Sequence, residues 1–179
     1  MPDFVAFLRA VNLGRTRKVP MAEARERLGE AGLADVETYL QTGNVRFATT
    51  LRSRTRVERL VEEVLGEWCG FDVPTMVLTP AELRHVYVDA LTVATPVEKV
   101  ARRYVTFLKE EPTAEAAAPI DAWAHDGEAA RVVGRAVHWW LSTPTRQARL
   151  SNARIEQALG TGTTRDLKVV TTLAERWGG

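Results

Sequence analysis

Residues 3–11, Asp-Phe-Val-Ala-Phe-Leu-Arg-Ala-Val, form an almost continuous apolar run. A short run without alternation predicts a central strand covered on both faces. Asn12-Leu13-Gly14 then opens a basic loop, Arg15-Thr16-Arg17-Lys18, closed by Pro20. Beyond it Met21, Ala24, Leu28 and Ala31 recur at spacings of three and four, marking an amphipathic helix that Gly32 ends. Residues 35–48 read as a hairpin. Val36, Thr38 and Leu40 share one face of its first arm, Thr42-Gly43 makes the turn, and Val45 and Phe47 point together on the return. Val57, Leu60, Val61, Val64, Leu65 and Trp68 form the strongest helical stripe of the chain, and Val73 to Leu78 is a further strand. Over residues 3–79 the order is strand, helix, strand, strand, helix, strand. That is the ferredoxin-like order, an antiparallel sheet with two helices on one face.

Thr79-Pro80-Ala81-Glu82 is a capping box with proline at the first helical position, and it predicts a short helix through Leu83, Val86 and Tyr87. Residues 90–100 read as a loop and Arg103 to Lys109 as a strand. Thr113 to Ala118 is an alanine-rich helix within a solvated, acidic excursion from Glu110 to Glu128. Ala130 to Val133 and Ala136 to Leu141 make a second hairpin across Gly134-Arg135. Trp139 and Trp140 follow one another on its second arm, which places one ring inward and one outward. Leu150, Ile155 and Leu159 lie on a helix that Ser151 caps and Gly160 ends. Thr163 or Thr164 caps a last helix carrying Leu167, Val170, Leu173, Ala174 and Trp177. The second half is therefore expected to be a degenerate βαββα version of the first. The expected fold class is α+β, with a ferredoxin-like half over residues 1–79 and a second half over residues 80–179.

The 179 residues suffice for a hydrophobic core without disulfide or metal support. The 24 Lys and Arg nearly balance the 23 Asp and Glu, for a net charge of +1, which removes the strongly basic footprint of a dedicated nucleic-acid binder. Lysine occurs only at positions 18, 99, 109 and 168, so 20 of the cations are arginines, the better bidentate partners for phosphate. The one cysteine, Cys69, admits no internal disulfide and reads as a small buried thiol. The N-terminus lacks the pattern of a signal peptide and no run reaches about 18 apolar residues, so a soluble cytoplasmic protein is expected.

Two polar clusters invite a ligand. Arg9, Asn12 and Lys18 leave the end of the first strand, while Gln41, Gly43 and Asn44 flank the hairpin turn. Arginine and lysine hold anions, and asparagine and glutamine read amides or base edges. The same asparagines and glycine also serve as ordinary turn residues. The second cluster joins Ser151 and Asn152 to Gly160-Thr161-Gly162-Thr163-Thr164-Arg165, where a glycine-rich turn before a helix offers backbone N–H groups and Arg165 a full charge. Helix caps need the same residues. The segment lacks the spacing of a Walker A loop and of a dinucleotide fingerprint. Arg52, Arg54, Arg56 and Arg59 surround the start of the second helix, against its dipole. His85, His125 and His138 stand far apart with no carboxylate or cysteine at ligand spacing, so neither a metal nor another cofactor is expected. His138 reads as structural, and Glu62-Glu63 as surface charge.

The motifs in these clusters resemble one family. Phe4 to Gly14 is similar to the opening "LLRGINVGG" of the bacterial domain of unknown function 1697 family. Lys18 to Glu23 is similar to its "KVPMAEL", and Thr38 to Val45 to its "TYIQSGNVVF". Leu150-Ser151-Asn152 and Thr163-Thr164-Arg165-Asp166 resemble its "KLSN" and "TTRNW". The resemblance implies an α+β fold of ferredoxin-like halves in a cytoplasmic bacterial protein without an assigned reaction. Ala10, Arg149 and Asp166-Leu167 depart from the family's usual glycine, lysine and Asn-Trp.

These residues suggest a binding module for an anionic small molecule or nucleotide, with Arg9, Asn12, Lys18, Gln41, Gly43, Asn44, Ser151, Asn152 and Arg165 converging on one recess. Binding of RNA or single-stranded DNA on an open sheet face is the alternative of the same topology. Asn44-Val45-Arg46-Phe47 lacks the paired stacking aromatics which that mode uses. An enzyme of unrecognised mechanism is the third reading.

Overall fold

The computed structural model describes residues 1–94 and 97–179, and of Ala124 the backbone only. Thr95 and Pro96, in the loop expected over residues 90–100, lie outside the described residues. The chain is a mixed α+β protein in two units. One comprises Met1–Leu83 together with Arg176–Gly179, the other Arg84–Glu175.

The first unit contains β1 (Asp3–Leu8), α1 (Met21–Glu30), β2 (Ala34–Tyr39), β3 (Asn44–Ala48), α2 (Arg54–Cys69) and β4 (Thr75–Leu78). Its sheet has the order β2-β3-β1-β4, antiparallel throughout, which is the ferredoxin-like arrangement. The alternation of β1 sorts its residues. Phe4, Ala6 and Leu8 meet Val45, Phe47 and Val77 and pack under Met21, Ala24 and Leu28 of α1 and Val57, Val61 and Leu65 of α2. The other face is apolar and buried as well: Val5, Phe7 and Met76 are fully buried and Leu78 nearly so. The apolar run therefore reads correctly as a strand covered on both faces, but the strand ends at Leu8. Ala10 takes a positive φ of 56° and turns the chain away.

The helix predicted through Tyr87 runs further. This α3 spans Pro80–Thr92, with the predicted capping box in place: Thr79 N donates to Glu82 Oε2 and Glu82 N to Thr79 Oγ1. The division between the units falls within it.

The second unit holds β5 (Arg102–Leu108), α4 (Ala114–Asp121), the two-residue β6 (Ala124–His125), β7 (Glu128–Val133), β8 (Ala136–Leu141), a single 3₁₀ turn at Thr145–Gln147, α5 (Asn152–Leu159), β9 (Gly162–Asp166) and α6 (Leu167–Trp177) up to Glu175, the last two residues of that helix belonging to the first unit. Its sheet order is β6-β7-β8-β5-β9. The expected truncated half is thereby corrected. Gly162–Asp166 is a strand paired antiparallel with β5, so this unit is a complete βαββαβ with β6 added at the edge. Thr163 and Thr164 lie in that strand rather than capping the last helix, and Lys168 N instead donates to Asp166 Oδ1.

The two units agree bond by bond. In the first, Leu8 N donates to Gly43 O and Arg9 N to Pro74 O; in the second, Leu108 N donates to Arg135 O and Lys109 N to Thr161 O. Arg9 and Lys109 are thus equivalent positions at the end of the central strand. The core of the second unit, under α4 and α5, joins Leu108, Val137, Trp139, Leu141, Ile155 and Leu159. Trp140 points to the opposite face and packs with Val97 and Ala129. Both tryptophans are buried on opposite faces of the strand, as the alternation of the strand with cover on both sides leads one to expect.

Candidate functional site

The loop between β1 and α1 is the longest connection of the first unit, and its own side chains hold it. Asn12, at a φ of 55°, receives Val19 N on Oδ1 at 2.9 Å and donates through Nδ2 to Val19 O at 2.8 Å and to Gln41 O at 2.6 Å. One amide therefore closes the loop and fastens it to the β2–β3 hairpin. Arg17 donates through Nε to Ala10 O at 2.8 Å and through its terminal nitrogen to Asp72 O, with its guanidinium 4.4 Å from the centre of the Phe71 ring. Ala10, Asn12 and Arg17 all hold positive φ, a backbone that persists only where neighbouring bonds over-determine it.

The hairpin turn is equally constrained. Asn44 is fully buried and donates to Tyr39 O and to Thr42 Oγ1. Gly43 sits at φ 81°, where a Cβ would lie 2.7 Å from Leu8 Cβ and 2.8 Å from Val11 Cγ2. Gln41 Oε1 accepts from Met21 N at 3.4 Å. Asn12, Gln41, Gly43 and Asn44 are thus occupied in shaping backbone, as turn residues.

What this scaffold presents is basic. Arg15 and Lys18 are exposed and, among the described residues, form no ion pair. They precede the start of α1, whose cap residue Pro20 offers no side-chain acceptor, and the Met21 N–H of its first turn is taken by Gln41 Oε1. Arg9 is half-buried where β1 ends.

The second cluster has another architecture than a turn before a helix. Ser151 caps α5, accepting from Arg154 N. Asn152 Nδ2 donates to Glu156 Oε2 at 2.8 Å, and Asn152 Oδ1 accepts from Thr164 Oγ1 at 2.6 Å. Thr164 meets Thr106 Oγ1 at 2.7 Å, which also accepts from Trp139 Nε1, while Gly162 N donates to Glu156 Oε1. This network ties α5 to β9 and to the middle of the sheet. Arg165 faces away from it, 6% exposed, and donates to Thr163 Oγ1 and Thr164 O within its own strand; burial pushes its pKa down to about 10.

The first unit explains what Asn152 and Glu156 are for. There Glu58 and Glu62, also four apart, accept from Val77 N and Thr75 N along the open edge of β4. Thr75 and Gly162 both pair with the last residue of the central strand, and Val77 and Thr164 both pair two residues earlier. Glu62 and Glu156 are therefore the same clamp on the same edge, while Asn152, at the position of Glu58, holds its strand through the Thr164 hydroxyl and not through a backbone N–H. An unpaired strand edge invites association, and a helix covering it is one protection. Glu62, expected as surface charge, works here.

The nine candidate residues divide between the units. Arg9, Asn12, Lys18, Gln41, Gly43 and Asn44 lie in the first; Ser151, Asn152 and Arg165 lie in the second. The RNA reading asked for an open sheet face. In the first unit both faces are buried, and in the second Val105, Phe107, His138 and Trp140 close the face opposite α4 and α5. Among the described residues no group of three or more His, Cys, Asp or Glu could hold a metal ion, and no helix is long and apolar enough to cross a membrane.

Sequence reasoning overlooked Glu128. The sequence places it at the end of a solvated excursion, yet it is buried, accepting from Trp123 Nε1 and from Arg149 N and Leu150 N. Its alternation with Ala130 and Val132 was the available signal. It lines a cavity of about 730 Å³ together with Trp123, His125, Asp126 and Arg131.

Among solved structures the chain is similar to a conserved bacterial protein, SP0830, from Streptococcus pneumoniae. The TM-score is 0.72 at 18% identity, over 100% of this chain and 99% of that one, a likeness of fold. No curated protein matches. A family model described as "Protein of unknown function (DUF1697)" matches residues 1–138, which include the β1–α1 loop, the Gln41–Asn44 turn and the Glu128 edge, and the chain belongs to that family.

Proposed function

We propose that the protein is a cytoplasmic binding module for an anionic small molecule or nucleotide, and that the anion sits against the β1–α1 loop of the first unit. The observation that carries this reading is the loop itself. Asn12 and Arg17 lock its backbone, while Arg15 and Lys18 remain exposed and, among the described residues, without an ion pair in the segment that leads into α1. A helix start carries about half a positive charge and free N–H groups, so both attract an anion. A pre-shaped loop loses little entropy on binding. The free thiol of Cys69 suits a reducing compartment.

The test is a thermal-shift titration with pyrophosphate and AMP on wild type and on Arg15→Ala/Lys18→Ala. Both positions are exposed, so the double variant is expected to fold as the wild type does. A ligand at about 100 times its Kd stabilises by ~2.7 kcal/mol. That gain is expected in wild type and not in the variant. Equal shifts in both proteins, or none with either ligand, refute the reading.

A further inference from the structure

The two units share one βαββαβ plan, so what one has and the other lacks is not needed for the plan. In the first unit residues 9–20 join β1 to α1; in the second only residues 109–113 join β5 to α4. Among the described residues, the non-glycine positions with positive φ are Ala10, Asn12, Arg17, Asp35 and Leu40, and all belong to the first unit. All but Asp35 lie in the β1–α1 loop or in the hairpin turn to which Asn12 fastens it. A left-handed backbone outside glycine persists where it serves a turn or a site. Asn12 and Arg17 hold their places by side-chain hydrogen bonds. Leu40, at a φ of 58°, has an aliphatic side chain that can make none.

Leucine suits that position poorly on two counts. The left-handed region favours glycine, asparagine or aspartate, and a leucine side chain is usually kept for the core. Leu40 is nevertheless 49% exposed, and Leu13, in the β1–α1 loop, is 60% exposed. Among the described residues, these two and the N-terminal Met1 are the large hydrophobic side chains that the first unit exposes. Asn12 Nδ2 donates to Gln41 O at 2.6 Å, so Leu13 and Leu40, each one residue from that bond, stand at the same end of the sheet. The charge along these two segments has one sign. From Phe4 to Ala22 the chain carries Arg9, Arg15, Arg17 and Lys18 and no Asp or Glu; from Thr38 to Ser53 it carries Arg46 and Arg52 and again no acidic residue. Glu23 is the first carboxylate beyond the loop, and among the described residues it pairs with neither Arg15 nor Lys18.

We propose that this end of the first unit docks on an anionic lipid bilayer, with Leu13 and Leu40 entering the headgroup boundary and Arg15 and Lys18 meeting lipid phosphates. The inference rests on the reading that the β1–α1 loop takes an anion, and it names the source of that anion. Surface attachment to a bilayer grows with the apolar area that enters it and with the attraction of cations to acidic headgroups. Exposed aliphatic side chains beside cations without ion pairs are complementary to such a surface on both accounts. A soluble anion would engage the cations alone and leave the two exposed leucines, one of them on a left-handed backbone, without a role. The hydrogen bonds of Asn12 and Arg17 hold the loop in shape, so little order has to be gained on docking.

The test is co-sedimentation of the full chain with vesicles of phosphatidylcholine alone and of phosphatidylcholine mixed with phosphatidylglycerol. Binding to the acidic vesicles, weakened by salt and nearly absent with phosphatidylcholine alone, is expected. Leu13→Ser/Leu40→Asn is expected to weaken it about tenfold, while the thermal shift with pyrophosphate stays as in wild type. Arg15→Ala/Lys18→Ala is expected to lose both. Asparagine suits the left-handed backbone at position 40, so Leu40→Asn by itself is expected to keep the wild-type melting temperature, and it carries the test if the double variant fails to fold. No binding to the acidic vesicles, equal binding to both kinds, or binding unchanged in the leucine variants overturns the proposal. A pyrophosphate shift that persists in wild type without vesicle binding overturns the lipid source and leaves the anion site standing; loss of both overturns the two readings together.

Discussion

Replacing His138 with leucine is expected to remove a large part of the protein's acid sensitivity. His138 lies on β8, opposite Arg131 of β7 and Val105 of β5; Arg165 pairs with Val105 on the far side, and all four side chains share one face. The imidazole is buried, and neither ring nitrogen has a hydrogen-bond partner among the described residues. Burial holds its pKa down to about 4 from 6.5; Asp89 favours the charged form, but Arg103 opposes it. Above about pH 6.5 the ring is neutral in the folded and unfolded chains alike, and the full stability is present. As the pH falls through 6.5 the unfolded chain takes up a proton that the folded chain refuses until about pH 4, so stability is lost across that window. A difference of about 2.5 pH units at ~1.4 kcal/mol each sets the full loss near 3.5 kcal/mol, of which about 3 is reached at pH 4 where the folded ring is half protonated. Urea unfolding of wild type and His138→Leu at a series of pH values between about 7 and 4 measures it. The wild-type free energy is expected to fall by about 3 kcal/mol more than that of the variant. Near neutral pH the variant should be close to wild type, since it removes two unpartnered buried nitrogens. Parallel pH profiles for the two proteins would refute the argument.

Two further outcomes follow from the turn and the edge clamps. Gly43→Ala places a Cβ within 2.8 Å of Leu8 and Val11 at a left-handed φ, and a loss of about 2 kcal/mol or more is expected in chemical denaturation; an effect under about 0.5 kcal/mol would show that the hairpin relaxes freely. Asn152→Ala removes the acceptor of Thr164 and the donor to Glu156, at a cost of about 1–2 kcal/mol, and a double-mutant cycle with Glu156→Ala should be non-additive, since both residues hold the β9 edge.

The candidate residues were legible as types but not as roles. Asn12 and Asn44 stand where a chain needs an amide, and the sequence cannot say whether that amide serves a ligand or the backbone. The folded chain spends both on backbone, as it spends Ser151 on a helix start and Asn152 on a strand edge. Glu62 holds the edge strand of the other unit as Glu156 does here, and Glu58, in the position of Asn152, reaches that strand by a different bond.

Periodicity alone determined β1, α1, the two hairpins, α2, α5 and the ferredoxin-like order of the first half, because each element displays its own buried face within a few residues. The strand β9 shows no such face. Gly-Thr-Thr-Arg-Asp carries no apolar alternation, and it is a strand because the edge of β5 offers it a ladder while Asn152 and Glu156 hold its other side. The completeness of the second unit, the burial of His138, Arg165 and Glu128, and the open cavity that the added strand helps to line were therefore decided in three dimensions. Hydrogen bonds and desolvation depend on which segments meet, and residues far apart along the chain settle that together.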